Sequence, residues 1–185
     1  LHREAAALPA VSAAALTSVV PLSGSNASSA VLTDHQGPDE PQWPSANLRL
    51  VSPNYFATMR IPVRIGRDIA DRDRCGSANV VVLNEKLAER LWPGVPLREV
   101  LGRRINVMAP RRDQPLWWEV VGVVGNLRNE ALSSEERPEF YIPVAQTPAL
   151  LWPYIQRSLV LVTRTRSDDI DAATLERPVR GLVAA

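Results

Sequence analysis

Residues 79–94 read NVVVLNEKLAERLWPG, and this stretch decides the class of fold. The apolar run from Asn79 to Leu83 is rich in valine and predicts a buried strand. Asn84 is placed to cap a helix from Glu85 to Trp92, and Gly94 follows the predicted end of that helix. The apolar residues of the helix recur at helical spacing on one face. The core must therefore combine a buried strand with the helix that follows it.

The remaining predicted elements flank this stretch and alternate irregularly between strand and helix. Before it, the pattern predicts the last turns of a helix at residues 3–8, strands at 11–20, 30–33 and 46–51, a short helix capped by Ser52 and Pro53 that ends at Met59, and a turn at 64–67. After it, the pattern predicts a hairpin of strands at 104–108 and 117–124, an edge strand at 140–143, a strand at 159–165 and a helix at 168–182 interrupted by Pro178. Because no regular βαβ alternation runs through the chain, we expect an α+β fold.

The composition fits a protein with an ordinary core and a balanced surface charge. Of the 185 residues, 45% are hydrophobic, and 21 Lys and Arg against 20 Asp and Glu give a net charge of +1. This balance provides no overall field that would attract nucleic acid or an anionic membrane, so neither is an expected partner. Cys75 is the only cysteine, which excludes an intrachain disulfide and a multi-cysteine metal site. We interpret it as a loop residue.

No charged residue occurs from Ala5 to Thr33, which raises the question of a signal peptide or a membrane span. Pro9 and Pro21 leave an apolar run of eleven residues between them, whereas a spanning helix needs about 20. We therefore expect a soluble fragment. The chain begins with Leu1 instead of methionine and opens like the middle of a helix, which favours a piece cut from a longer protein.

Residues with catalytic or metal-binding chemistry are sparse. His35 would have to support any histidine-based site almost alone. Asp68, Asp71 and Asp73 have the spacing of a calcium loop, but the arginines between them and the lack of a glycine at the bend favour a self-paired surface turn. The glycines of the segment Gly122–Gly125 lack the lysine and hydroxyl residues of a phosphate loop, so they predict close packing or a bulge. We predict no catalytic, cofactor-binding or metal-binding residue, and no cofactor.

Two other classes of function remain open at this point. A secreted hydrolase using a carboxylate pair would depend on Glu119, for which an exposed strand position is the simpler interpretation. A secreted ligand-binding module would use an exposed Trp43 or Trp152 to contact a carbohydrate or peptide. Trp117 and Trp118 are neighbours in a predicted strand, so one ring should lie in the core and the other at the surface.

Several segments carry a resemblance to a known family. They are VSPNYFATMRIP at residues 51–62, followed by Gly66, Arg67, Asp68 and Asp73; VVVLNEKLAERLWPG at 80–94; VVGVVGN at 120–126; and RPEFYIP at 137–143. In this order they resemble the signatures of the MacB-like periplasmic core domain, which occurs in ABC-transporter permeases of the FtsX-like superfamily. Arg60 stands where the family commonly has glycine. The ordered set is specific, whereas any one segment alone is weak.

The resemblance implies that residues 1–185 form one extracytoplasmic domain at the outer face of a bacterial cytoplasmic membrane, tethered by transmembrane helices outside this sequence. It implies a mixed α/β, porter-like subdomain from residues 1–21 plus 127–185 and an inserted, strand-rich subdomain from residues 22–126. ATP would be hydrolysed by a separate cytoplasmic ATPase protein or domain. The predicted function is non-catalytic: the domain couples membrane-helix motion to substrate export or to the binding of an extracytoplasmic partner protein.

Overall fold

The computed structural model of the chain describes residues 1–20, 23, 27–34, 43–107, 116–127, 136–149, 152–171 and 173–184. Over these residues the chain combines one mixed β-sheet with helices on its faces, so the α+β prediction is confirmed. The predicted division into residues 1–21 plus 127–185 and residues 22–126 stays a prediction.

The sheet has ten strands within the described residues. They are β1 (Val11–Thr17), β2 (Ser28–Ala30), β3 (Leu32–Thr33), β4 (Ser45–Val51), β5 (Val63–Gly66), β6 (Val80–Asn84), β7 (Arg104–Asn106), β8 (Trp117–Val124), β9 (Glu139–Pro143) and β10 (Val160–Thr165). Their order is β10-β1-β4-β9-β6-β8-β7-β3, with β2 also pairing β4 and β5 also pairing β8. The β4–β9 and β6–β8 pairs are parallel, and the other pairs are antiparallel.

The helices are α1 (His2–Ala6), α2 (Tyr55–Met59), α3 (Glu85–Leu91), α4 (Trp152–Ile155) and α5 (Ala173–Ala184), with short 3₁₀ turns at Leu97–Glu99 and Val144–Gln146. The prediction for α3 is confirmed, because the Leu87 N–H donates to Asn84 Oδ1 at 2.9 Å, which is an N-cap. The antiparallel hairpin of β7 and β8 is also confirmed. Its predicted turn at residues 110–115 lies outside the described residues.

The core consists of clusters on both faces of the sheet. A large cluster packs α3 and the centre of the sheet together; its largest members are Leu83, Leu87, Trp92, Trp118 and Phe140. A second cluster lies beneath α2 and includes Val51, Tyr55, Phe56, Val82 and Tyr141. A third joins α1 and α5 to the edge strand β10 and its neighbour β1 through Ala5, Val11, Ala14 and Leu175.

The predicted edge strand at residues 140–143 is wrong, because β9 lies between β4 and β6 with all five of its residues buried. The prediction depended on Pro143, which cannot donate to a central ladder. Pro143 is the last residue of β9, and the β6–β9 pairing covers only Phe140 and Tyr141. The proline therefore costs the sheet no ladder hydrogen bond with β6.

The start of α2 also differs from the prediction. The residue before the helix is Asn54, which has a left-handed backbone (φ 68°), and Ser52 does not cap the helix. Instead the Ser52 hydroxyl accepts the Leu16 N–H of β1 at 2.8 Å. Arg60 ends α2 with φ 56°, a conformation for which the family's usual glycine would be better suited.

Three further local predictions are corrected. Residues 64–67 do not form a turn, because β5 pairs with β8 over Val63–Gly66. β4 is buried on both faces, not half-buried, since Asn47, Arg49 and Val51 are each at most 5% exposed. Helix α5 runs through Pro178 without interruption. In each case a tertiary contact overrides a local signal. For Pro178, this contact is the packing of Val179 and Leu182 against α1 and β1.

Candidate functional site

Glu139 and Tyr141 of the RPEFYIP segment form a buried charged cluster with Arg49 at the centre of the sheet. Arg49 Nη2 of β4 lies 2.9 Å from Glu139 Oε1 of β9, and the two side chains are only 3% and 1% exposed. The Tyr141 hydroxyl donates to Glu139 Oε2 at 2.8 Å. Because the carboxylate has partners on both oxygens and almost no exposure, it joins two strands and is closed to a substrate.

Asn84 ties this cluster to the strand–helix unit. Its Oδ1 atom accepts both the Glu139 N–H and the Leu87 N–H at 2.9 Å, while its Nδ2 group donates to the Arg137 carbonyl at 2.7 Å. One amide side chain thus caps α3 and fixes the register of the RPEFYIP segment against β6. The family-like segments at 80–94 and 137–143 are therefore held together by direct hydrogen bonds.

The two tyrosines of the cluster region, Tyr55 and Tyr141, stay protonated at neutral pH. Phe56 packs edge-on against Tyr55 and Tyr141, with ring centroids 5.6 Å and 4.9 Å away. Burial raises the pKa of Tyr55 to about 12, and burial together with the nearby Glu139 charge raises the pKa of Tyr141 well above its usual value. Tyr141 is therefore a fixed hydrogen-bond donor and does not act as an acid or base at neutral pH.

The three aspartates with the calcium-like spacing, Asp68, Asp71 and Asp73, each bind a different partner within the protein. Asp73 forms a bidentate pair with Arg67 at 2.6 Å and 2.8 Å and also accepts the Ala70 N–H. Although burial alone would raise the pKa of Asp73, these hydrogen bonds hold it below its usual value. Asp71 pairs with Arg3 of α1 at 2.6 Å, and Asp68 accepts the Ile69 N–H. In the described part of the chain, no group of three His, Cys, Asp or Glu side chains is placed to hold a metal ion.

Asp68→Asn is expected to stabilise the domain near neutral pH. Burial raises the pKa of Asp68 to about 6, above the unfolded value of about 3.9, so the favourable contribution of the protonated carboxyl is lost as the pH rises through about 6. Asparagine imitates the protonated form and can still accept from Ile69. With allowance for solvent screening of this partly exposed group, the gain at about pH 7.5 is on the order of 1 kcal/mol.

Urea unfolding of Asp68→Asn at several pH values measures this gain, with Glu89→Gln on the exposed face of α3 as the control. The gain should shrink towards zero as the pH falls to about 4, where the wild-type carboxyl is protonated in the folded state. An equal gain at both ends of the pH range would contradict the assignment.

The glycines of the 122–125 segment allow close packing, as predicted. A Cβ atom on Gly122 would lie 2.2 Å from the Arg67 carbonyl oxygen, and one on Gly66 would lie 2.3 Å from the Val121 carbonyl oxygen. Such contacts with backbone atoms cannot be relieved by a side-chain rotation. The β6–β8 register also shifts at this point, between Val81 and Val82. The segment is therefore a site of close backbone packing between β5 and β8.

The other residues considered from the sequence are dispersed. Trp118 is fully buried, which confirms that one of the two rings lies in the core, whereas Trp117 is half-buried and not fully at the surface. Glu119 occupies an exposed position of β8 opposite Arg104. Trp43 is half-buried, Trp152 is 41% exposed, and Cys75 is exposed; His35 lies outside the described residues.

The role of Arg49 and the linking role of Asn84 were not predicted from the sequence. The available signal was an arginine within an apolar strand and a glutamate between a proline and aromatic residues, since buried ions are expected only in pairs. Among the helices of the described residues, none combines the length and apolar character needed to cross a membrane.

The fold is that of extracytoplasmic domains of ABC-type transporters. The periplasmic region of MacB from Actinobacillus actinomycetemcomitans aligns with a TM-score of 0.62 and 17% identity, covering 98% of this chain and 70% of that one. The extracellular domain of the noncanonic ABC-type transporter YknZ from Gram-positive bacteria aligns with a TM-score of 0.56 and 19% identity, covering 97% of this chain and 81% of that one. Curated proteins provide no match.

The sequence itself places the chain within a family. The MacB-like periplasmic core domain matches residues 2–177, so the chain belongs to that family. The resemblance is thereby confirmed, as is the extracytoplasmic location. The chain is an extracytoplasmic domain of a MacB-like ABC-transporter permease.

Proposed function

We propose that this domain is non-catalytic and couples ATP-driven motion of membrane helices to substrate export or to the binding of a partner protein. The observation that carries the proposal is the Arg49–Glu139–Tyr141 cluster, in which the buried carboxylate of Glu139 serves to join two strands. A domain that transmits motion needs such internal stiffness, whereas an enzyme needs its carboxylate open to a substrate.

The arrangement of the terminal helices supports the same role. Helices α1 and α5 pack against each other and against β1 and β10 through Ala5, Leu175, Val179 and Leu182. A displacement of either helix would therefore be passed to the edge of the sheet. We propose that transmembrane helices of the parent permease attach on this side, that a separate cytoplasmic ATPase drives them, and that an extracytoplasmic partner or cargo contacts the remainder.

The sequence of the parent gene beyond each end of the chain tests the proposal. Apolar spans of about 20 residues are expected within roughly 60 residues on both sides, because a domain that couples membrane-helix motion must be joined to those helices. Polar flanks on both sides would contradict the proposal and favour a secreted ligand-binding module.

A further inference from the structure

The connection between β1 and β4, one strand in from the β10 edge, has the shortest ladder among the described strands of the sheet, with a single residue pair. The β1–β10 ladder extends from the Val11–Thr165 pair to the Thr17–Val160 pair, but β1 and β4 share only the Thr17–Val51 pair at their last residues. We call this crossing, residues 16–18 and 50–52, the seam. It joins an outer unit, formed by α1, β1, β10 and α5, to the rest of the sheet.

Serine hydroxyls replace half of the backbone hydrogen bonds at the seam. The Ser18 N–H donates to the Leu50 carbonyl and the Ser52 N–H to the Leu16 carbonyl, at 2.9 Å and 3.0 Å. A regular antiparallel ladder would return a bond from the Leu50 N–H to the Ser18 carbonyl and from the Leu16 N–H to the Ser52 carbonyl. Here Leu50 donates to Ser18 Oγ at 3.0 Å and Leu16 donates to Ser52 Oγ at 2.8 Å. A side-chain acceptor can follow the amide as the strands separate, which a carbonyl in the opposite strand cannot do.

The two faces of the seam are packed differently. On the α2 face, Ala15 and Val51 are fully buried against the aromatic cluster. On the α4 face, a cavity of about 420 Å³ lies at the Ser18 end and another of about 330 Å³ at the Ser52 end. Ile155 lines the first cavity and Trp152 the second, so α4 extends from one to the other. Because a close-packed interior resists movement, the free volume on this side favours rotation of the outer strands towards the α4 face.

In the described part of the chain, side-chain polar contacts join the outer unit to the rest on both sides of the seam, and on the α2 face they include a hydrogen bond between Tyr55 and Thr17. On the α2 face, Arg164 of β10 donates through Nε and Nη2 to the Thr58 carbonyl at 2.8 Å and 2.5 Å, beside the packed cluster. On the other side, at the rim of the 330 Å³ cavity, Arg3 of α1 pairs with Asp71. Both side chains of that pair are more than 60% exposed, and exposed pairs hold weakly. The α2 side therefore serves as the pivot, and the Arg3–Asp71 side can open.

We infer that the seam is a hinge, about which the outer unit of α1, β1, β10 and α5 turns against the rest of the sheet. Its use in transport rests on the proposed function, because that function attaches the outer unit to the membrane helices; the hinge itself does not.

Amide hydrogen exchange of this chain tests the hinge directly. The N–H groups of Leu16, Ser18, Leu50 and Ser52 face across the seam. A second set of N–H groups faces the opposite way: those of Ala15 and Thr17 point to β10, and those of Arg49 and Val51 point to β9. We expect the seam amides to exchange about tenfold faster than the second set, since the seam opens without unfolding the ladders beside it.

Two variants and a matched control sharpen the test. Ser18→Ala with Ser52→Ala should accelerate exchange at Leu16 and Leu50 by about a further tenfold, because each amide loses its acceptor. Ser12→Ala is the control, because the Ser12 hydroxyl donates to the Arg164 and Thr165 carbonyls and accepts no seam amide. A disulfide from Thr17→Cys with Val51→Cys should slow the seam amides to the rate of the second set. This pair is of the non-hydrogen-bonded type, about 4.5 Å between Cα atoms, a spacing that a disulfide accepts.

Equal exchange at both sets of amides in the wild-type chain would overturn the hinge, as would seam exchange that the disulfide does not slow. Either result leaves the proposed transporter function untouched, because that function is tested by the membrane spans beside the domain. Conversely, fast exchange at the seam together with polar sequence on both sides of the domain would support the hinge and contradict the proposed transporter function.

Discussion

Glu139→Gln is expected to destabilise the domain by about 3–5 kcal/mol, because it leaves the buried Arg49 guanidinium without the charge of Glu139. The glutamine keeps the shape of the side chain and can still accept from Tyr141, so the loss reports the charge and not a cavity. Replacing both partners, Arg49→Met with Glu139→Gln, should recover most of the lost free energy of unfolding. A buried pair costs much when broken and little when both charges are removed.

Guanidinium unfolding followed by tryptophan fluorescence measures these differences. The control is Glu99→Gln, which breaks the exposed Arg98–Glu99 pair and should change stability by less than about 1 kcal/mol. If Glu139→Gln costs no more than this control, Glu139 does not hold the sheet together, and the structural interpretation of the motif residues fails.

The sequence predicted those parts of the fold whose signal is local. The valine run and Asn84 define a strand and its capped helix within sixteen neighbouring residues, and Gly122 and Gly125 predict close packing or a bulge. Elements that depend on distant partners were missed or misjudged. Pro143 led to an edge-strand prediction because the sequence does not reveal that β6 pairs with β9 only as far as Tyr141.

The same limit applies to the functional features. Arg49 and Glu139 are ninety residues apart in the chain, and each alone is typical of a solvated surface. Ser52 has the position of a helix cap, and only the fold brings its hydroxyl to the Leu16 amide. The sequence could identify the family through ordered motifs, but it could not show that the motif residues serve as strand contacts.

A disulfide across the seam is expected to abolish the nucleotide-driven change in angle between the outer unit and the rest of this domain in the parent permease. The Thr17→Cys and Val51→Cys pair would fix the outer unit to the rest of the sheet. If motion of the membrane helices enters through α1 and α5, it could then no longer change the angle at the seam. Thr17→Cys alone, which cannot form the disulfide, is the matched control for the loss of the Thr17 hydroxyl bond to the Val19 carbonyl.

The most direct measurement of the whole account is the distance between spin labels at exposed positions of the two parts. Arg90 of α3 and Arg177 of α5 are suitable, after replacement of Cys75 and any other native cysteine by serine; the labels are attached through reduction-stable thioether bonds while the Thr17→Cys and Val51→Cys pair is oxidised. With the parent permease and its ATPase in liposomes, the account predicts that trapping ATP with vanadate changes the distance, that oxidation of the engineered pair abolishes this change, and that reduction restores it. A distance that is the same with and without trapped nucleotide in the reduced transporter would contradict the account.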